Sequence, residues 1–293
     1  MNASPLYLSQ IRSVLTNIEI EDIEQAGGQF NDVVIINQAW VFRFPRFHEG
    51  VARLAAEARL LEALRKRLPL PIPDPVYQCF NPPVPGLVFL GYQKLPGNPF
   101  YRQSLGELRD EGVRDDLALQ LAGFLRALHH ISPVDIPVKA EIMDMREGWE
   151  STYADIREKL FPCMRVDART EVTAHFEAYL DDRQLHQFIP CLRHGDFGGS
   201  NILWDAGQGM ITGVIDFSFC ALGDAAYDLA SISTMGEDFY TRLVPSYEPD
   251  PARRSSLLAR ARFYRGTFAL SEALDGLRDH DPESYRHGME GYL

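Results

Sequence analysis

Apolar positions along this chain change their rhythm about a third of the way through, from short alternating runs to helical spacing. After a short helical start and the turn Gly27-Gly28-Gln29-Phe30-Asn31-Asp32 come two runs, residues 33–36 and 40–44, split by Asn37-Gln38-Ala39. Short β-branched and aromatic runs divided by polar turns predict antiparallel strands. In the second run Trp40, Phe42 and Phe44 share one face, and Val41 and Arg43 the other. Residues 50–68 then carry Leu54, Ala58, Leu61, Leu64 and Leu68 on one helical stripe, closed by Pro69, Pro71, Pro73 and Pro75. A further strand is expected over 87–93, ending at Leu95-Pro96-Gly97.

Beyond that point the pattern is helical. Residues 115–130 place Leu117, Leu121, Phe124, Leu125 and Leu128 on one face, and 167–188 and 252–277 are further helix candidates. Between them 201–204 and 213–217 read as two short strands joined by a turn at 205–209. A β-rich small lobe before a helical lobe with one hairpin is an α+β, two-lobed kinase-like layout, with lobes expected at 1–97 and 98–293.

Composition narrows the function classes. The chain has 293 residues, 45% of them hydrophobic, and no apolar run of the roughly 18–20 residues that span a bilayer. The first ten residues lack a basic start and an apolar core, so no signal peptide is expected. Four scattered cysteines without a C-x-x-C pair read as reduced thiols, and the cytoplasm is the expected compartment. Residues 1–98 balance at 9 basic and 9 acidic, whereas 99–293 hold 20 basic and 32 acidic, which accounts for the whole net charge of −12. That balance argues against nucleic acid or an anionic membrane and favours a cationic ligand in the second part. The plainer alternative is that the acids keep the surface soluble.

The most informative stretch is Leu192-Arg193-His194-Gly195-Asp196-Phe197-Gly198-Gly199-Ser200-Asn201. It holds H-x-D-x-x-x-x-N, the spacing of a phosphotransferase catalytic loop. Asp196 is placed to orient or deprotonate an acceptor hydroxyl, Asn201 to hold Mg²⁺ through its amide oxygen, and Gly198 and Gly199 to let the chain turn between them. Asp216, at the end of the second hairpin strand, is a candidate second metal ligand. An Asp in a glycine-rich turn is most often only a turn former; the ordered set across a hairpin carries the functional reading. His194 is expected as a buried strut. Glu57 falls on the apolar stripe of its helix, and a carboxylate there needs a partner. Arg43 is the natural one, in a phosphate-holding pair or in a purely structural one.

Trp40 to Arg46, Leu68 to Pro73, Pro190 to Phe197, Gly213 to Phe217 and Gly223-Asp224-Ala225-Ala226-Tyr227-Asp228 together make the chain resemble the aminoglycoside phosphotransferase family, most closely its 2″-hydroxyl branch. The resemblance implies Asp196 as the catalytic residue, Asn201 and Asp216 as Mg²⁺ ligands, and ATP or GTP as donor. It implies Arg43 and Glu57 at the phosphates; Arg43 stands where many relatives have Lys, a departure that changes the geometry and that Arg46 is placed to offset by sharing the task. Backbone groups of Gln93 and Leu95 would meet the nucleobase, and Asp224 would brace the catalytic loop. Glu237 and Asp238 would contact acceptor amines, joined by Glu272 and Asp275 on the last long helix. A monomer acting on a small cationic acceptor is expected. A kinase of another small alcohol (a macrolide, a sugar or an amino alcohol) and a non-catalytic nucleotide-binding protein are the alternatives. A metal-dependent hydrolase built on His194, Asp196 and Asp216 lacks the additional His spacing such a site needs.

Overall fold

The computed structural model describes residues 4–27, 30–138 and 142–293, so Gly28 and Gln29 of the glycine turn lie outside the described residues. The first part comprises α1 (Pro5–Val14), β1 (Ile23–Gly27), β2 (Asn31–Ile36), β3 (Trp40–Pro45), α2 (His48–Leu64), β4 (Tyr77–Cys79) and β5 (Phe89–Gln93). These strands form one antiparallel sheet in the order β1-β2-β3-β5-β4. Alternation along the strands gives the sheet two apolar faces. Val34, Ile36, Phe42, Phe44 and Phe89 pack with Ile11 and Leu15 at α1. Val41, Leu90 and Tyr92 face the other way and join the main core with Leu54, Leu61 and Leu64 of α2. The α2 helix stops at Leu64, four residues short of the expected end, so Leu68 packs on the core from the following turn instead.

The chain continues through β6 (Asn98–Pro99), α3 (Arg102–Glu107), α4 (Glu111–His129), α5 (Arg146–Asp155) and α6 (Val166–Asp181). Then follow β7 (Cys191–Arg193), β8 (Ile202–Asp205), β9 (Met210–Val214) and β10 (Ala221–Gly223). It ends with α7 (Ala225–Ile232), α8 (Glu237–Tyr247), α9 (Pro251–Arg278) and α10 (Pro282–Met289). Side-chain caps start several of these helices: Asp110 accepts from Gly112 and Val113 N–H, and Asp250 and Asp281 do the same for α9 and α10. β6 pairs with β8, and β8 with β9, while β7 pairs with β10. The hairpin is therefore shifted from its expected bounds. Its second strand ends at Val214, and Asp216 follows in a left-handed turn, φ 62°. Among the described residues no helix is long and apolar enough to cross a membrane, and all four cysteines are free thiols.

Candidate active site

Arg43 of β3 and Glu57 of α2 lie 2.5 Å apart and are only 6% and 3% exposed. The same Glu57 oxygen accepts the Phe217 N–H at 3.2 Å, so the pair reaches out of the small sheet to the segment after β9. Arg43 also points its Nη2 at Asp216 Oδ1, 3.3 Å away. Burial disfavours the Arg43 charge, but Glu57 and Asp216 outweigh it and hold the guanidinium charged. Burial would likewise raise the Asp216 carboxyl; Arg43 and the donating N–H and hydroxyl of Ser218 keep it below the usual range. A left-handed Asp costs less than most side chains there, because its short polar group bonds back to the turn.

The loop after β7 is fixed from beneath. His194 is fully buried; its Nδ1 accepts the Asp196 N–H at 3.3 Å and its Nε2 donates to Ile215 O at 3.1 Å. Burial lowers its pKa, which suits the neutral ring this pattern requires. Asn201 donates through Nδ2 to Asp196 Oδ2 at 2.7 Å and to Asp196 O at 2.9 Å. Burial lifts the Asp196 carboxyl above its ordinary range, with His194 and Asn201 offsetting part of the effect. Gly195 holds the left-handed turn, φ 84°, and a Cβ there would sit 2.4 Å from Phe219 O. The left-handed glycine of this loop is thus Gly195, not Gly198 or Gly199; Gly199 is needed for close approach to Phe100 O.

The brace of the loop is Asp228, not Asp224. Asp228, fully buried on α7, accepts the His194 N–H at 2.7 Å and the Gly195 N–H at 2.8 Å. It also meets His129 Nε2 at 3.0 Å, and His129 Nδ1 meets the Tyr247 hydroxyl at 2.8 Å. Burial opposes the Asp228 charge, but these donors bring its pKa below the usual range. Asp224, one helical turn earlier, caps α7 through the Ala226 N–H and binds Arg260 and the Tyr264 hydroxyl. It ties α7 to α9 and makes no hydrogen bond to the loop among the described residues. A second buried pair the sequence did not reveal, Arg193 with Asp144 at 2.8 Å, lies beside it, and Arg193 stacks 4.1 Å over the Tyr227 ring.

Asp196 opens into a cleft of about 680 Å³ whose wall includes Arg46, Phe219 and Tyr227. Glu272, Asp275, Asp279 and Asp281 also line it, so five acidic side chains including Asp196 face one arginine. Glu272 hydrogen-bonds His287 at 2.7 Å. Glu237 and Asp238 do not line this cleft. Asp238 lies on the surface, paired with Arg242 at 3.0 Å and Arg114 at 3.5 Å. Gln93 ends β5, the next N–H is taken by Ala39 O, and the Leu95 side chain lies over Gly213.

The oxygen donors near Asp216 suit a hard divalent cation. The Asn201 NH₂ is committed to Asp196, which leaves the amide oxygen as its acceptor. No cluster of three or more His, Cys, Asp or Glu able to hold a metal occurs among the described residues. One carboxylate and one amide oxygen, completed by water and phosphate, is the donor set Mg²⁺ commonly takes beside nucleotides.

The sequence matches the phosphotransferase enzyme family over residues 22–264. The chain belongs to that family. It is an enzyme, a phosphotransferase with an alcohol group as acceptor, built on a kinase-like fold. Viomycin phosphotransferase of Streptomyces vinaceus is 31% identical over 277 residues, 90% of each chain. The GDP and kanamycin complex of APH(2″)-IIIa superposes with a TM-score of 0.86 at 27% identity, covering 97% of this chain and 96% of the other. A type I macrolide 2′-phosphotransferase shares the fold, with a TM-score of 0.73 at 21% identity over 100% and 99% of the two chains.

Proposed function

We propose that this enzyme transfers the γ-phosphate of ATP or GTP to a hydroxyl of an aminoglycoside, within the acidic cleft beside Asp196. The observation that carries the reading is that one cleft joins Asp196 to a wall of carboxylates suited to an amine-rich acceptor. Asp196 takes the proton of the attacking hydroxyl, held in orientation by Asn201 and by the loop backbone that Asp228 anchors. Arg43, fixed by Glu57, meets the nucleotide phosphates, and backbone groups at Gln93 and Leu95 meet the base. Asn201 and Asp216 would hold Mg²⁺, which neutralises charge on the phosphates. Residues 1–97 act as the nucleotide lobe and 98–293 as the catalytic and acceptor lobe. Glu272 and Asp275, rather than Glu237 and Asp238, bind acceptor amines. The neighbour's GDP and kanamycin complex supports the donor and acceptor classes.

The test is nucleotide consumption by purified protein with Mg²⁺, ATP and GTP assayed separately, against aminoglycosides, viomycin, macrolides and simple alcohols. Viomycin belongs in the panel because of the relative at 31% identity. Turnover dependent on an aminoglycoside is expected. Turnover only with a different alcohol would overturn the acceptor assignment.

A further inference from the structure

Residues of α9, among them Ser271, Glu272 and Asp275, form one wall of the acidic cleft. A second cavity of about 410 Å³ lies on the adjacent face of that helix, walled opposite by Thr152 and Asp155 of α5 and by Lys159. Lys159 sits in a π-helical segment, Ile156–Leu160, that continues α5. Such segments widen a helix locally and often occur at functional sites. Ser271 and Asp275, one helical turn apart on α9, line both cavities. At 3.6 residues per turn, the two lined faces are about a quarter-turn apart, and the ridge between them is formed by these two short side chains.

The two cavities differ in charge. The catalytic one is lined by five acids and one arginine, whereas the second is lined by two acids, Asp155 and Asp275, and two cations, Lys159 and Arg278. Asp155 meets Lys159 at 2.7 Å, and Asp275 meets Arg278 at 2.8 Å. These four side chains are each 45–63% exposed, and pairs of that kind are held weakly enough to rearrange around a ligand. The second cavity thus offers donors and acceptors, with Thr152 and Ser271 hydroxyls among them, but no net charge.

We infer that the acceptor site continues across the Ser271–Asp275 ridge into this second cavity. It takes an elongated acceptor whose amines lie among the carboxylates near Asp196 and whose hydroxyl-rich end rests between Thr152, Lys159 and Arg278. The inference deepens the functional proposal and rests on it.

The experiment compares wild type with Thr152→Trp, which fills the second cavity, and Lys159→Ala, which removes the ammonium donor from its wall. KM is measured for a three-ring aminoglycoside. A two-ring aminoglycoside is scored by KM or, where it is not phosphorylated, by its competitive Ki. Melting curves and the nucleotide KM report whether the fold and donor site are intact. Thr152→Trp should raise the three-ring KM about tenfold and leave the two-ring constant within twofold; Lys159→Ala, which removes a donor to the hydroxyl-rich end, should also raise the three-ring KM several-fold and spare the two-ring constant. Equal effects on both acceptors, or no effect from either well-folded variant, would overturn the inference. Failure of wild type to use any aminoglycoside would instead defeat the functional reading, and this inference with it.

Discussion

Replacing Asp228 with Asn should damage both the stability and the catalytic rate, although Asp228 lies outside the acceptor cleft. Two backbone N–H groups and the His129 ring converge on its two oxygens in a fully buried site. Asn offers one oxygen and an NH₂ group that must face at least one of these donors. One charge-assisted bond, worth about 1.5–3 kcal/mol, is lost, and a buried donor is left unsatisfied at a further cost of about 1–3 kcal/mol. A total near 3–5 kcal/mol should appear as a lower urea midpoint. Because the freed amides are those of His194 and Gly195, Asp196 loses its positional support. A misplacement of about 1 Å costs on the order of 10²-fold in rate. The assay is kcat with saturating nucleotide and acceptor beside a urea titration of the same preparation. A variant with an unchanged midpoint and a kcat within about twofold of wild type would refute the bracing argument.

Glu57→Gln should cost about 3–5 kcal/mol in a urea titration, because it leaves a buried arginine without its close partner, and it should raise the nucleotide KM. Glu272→Gln together with Asp275→Asn should raise the KM for an amine-rich acceptor by tenfold or more while the nucleotide KM stays put, as steady-state kinetics would show. Burial pushes the Asp144 carboxyl up to about 6 despite Arg193. The unfolded chain therefore loses this proton first as pH rises from about 4, and the folded protein loses it near 6. Stability contributed at this site thus falls between those values, by up to about 3 kcal/mol, and is level above them. Subtracting the pH–stability curve of Asp144→Asn from that of wild type should isolate this fall; a difference curve that rises over the same interval would contradict it.

Much of this arrangement was legible in the sequence where spacing and chemistry coincide. The Arg43–Glu57 contact followed from strand alternation in 40–44 and from a carboxylate on an apolar helix stripe. The proximity of Asp196 and Asn201 followed from the loop spacing. Short elements were not legible: β4 and β6 span three and two residues and carry too little pattern to register. The sequence also offered two aspartates one turn apart in Asp224-Ala225-Ala226-Tyr227-Asp228, and only three-dimensional contacts show that the second meets the loop while the first meets Arg260. Burial of Asp228 among apolar α7 neighbours was the available signal, since an acid at the centre of a buried helix needs donors. Glu237 and Asp238 were attractive by charge alone, but charge does not reveal that Arg242 and Arg114 already hold Asp238 at the surface.

The most direct test of the central claim is phosphate transfer to an aminoglycoside by wild type and by Asp196→Asn, with nucleotide binding measured on both proteins. The account predicts acceptor-dependent transfer by wild type, a loss of at least about 10²-fold in the variant, and nearly equal nucleotide affinity. Full transfer by Asp196→Asn, or loss of nucleotide binding in a folded variant, would contradict it.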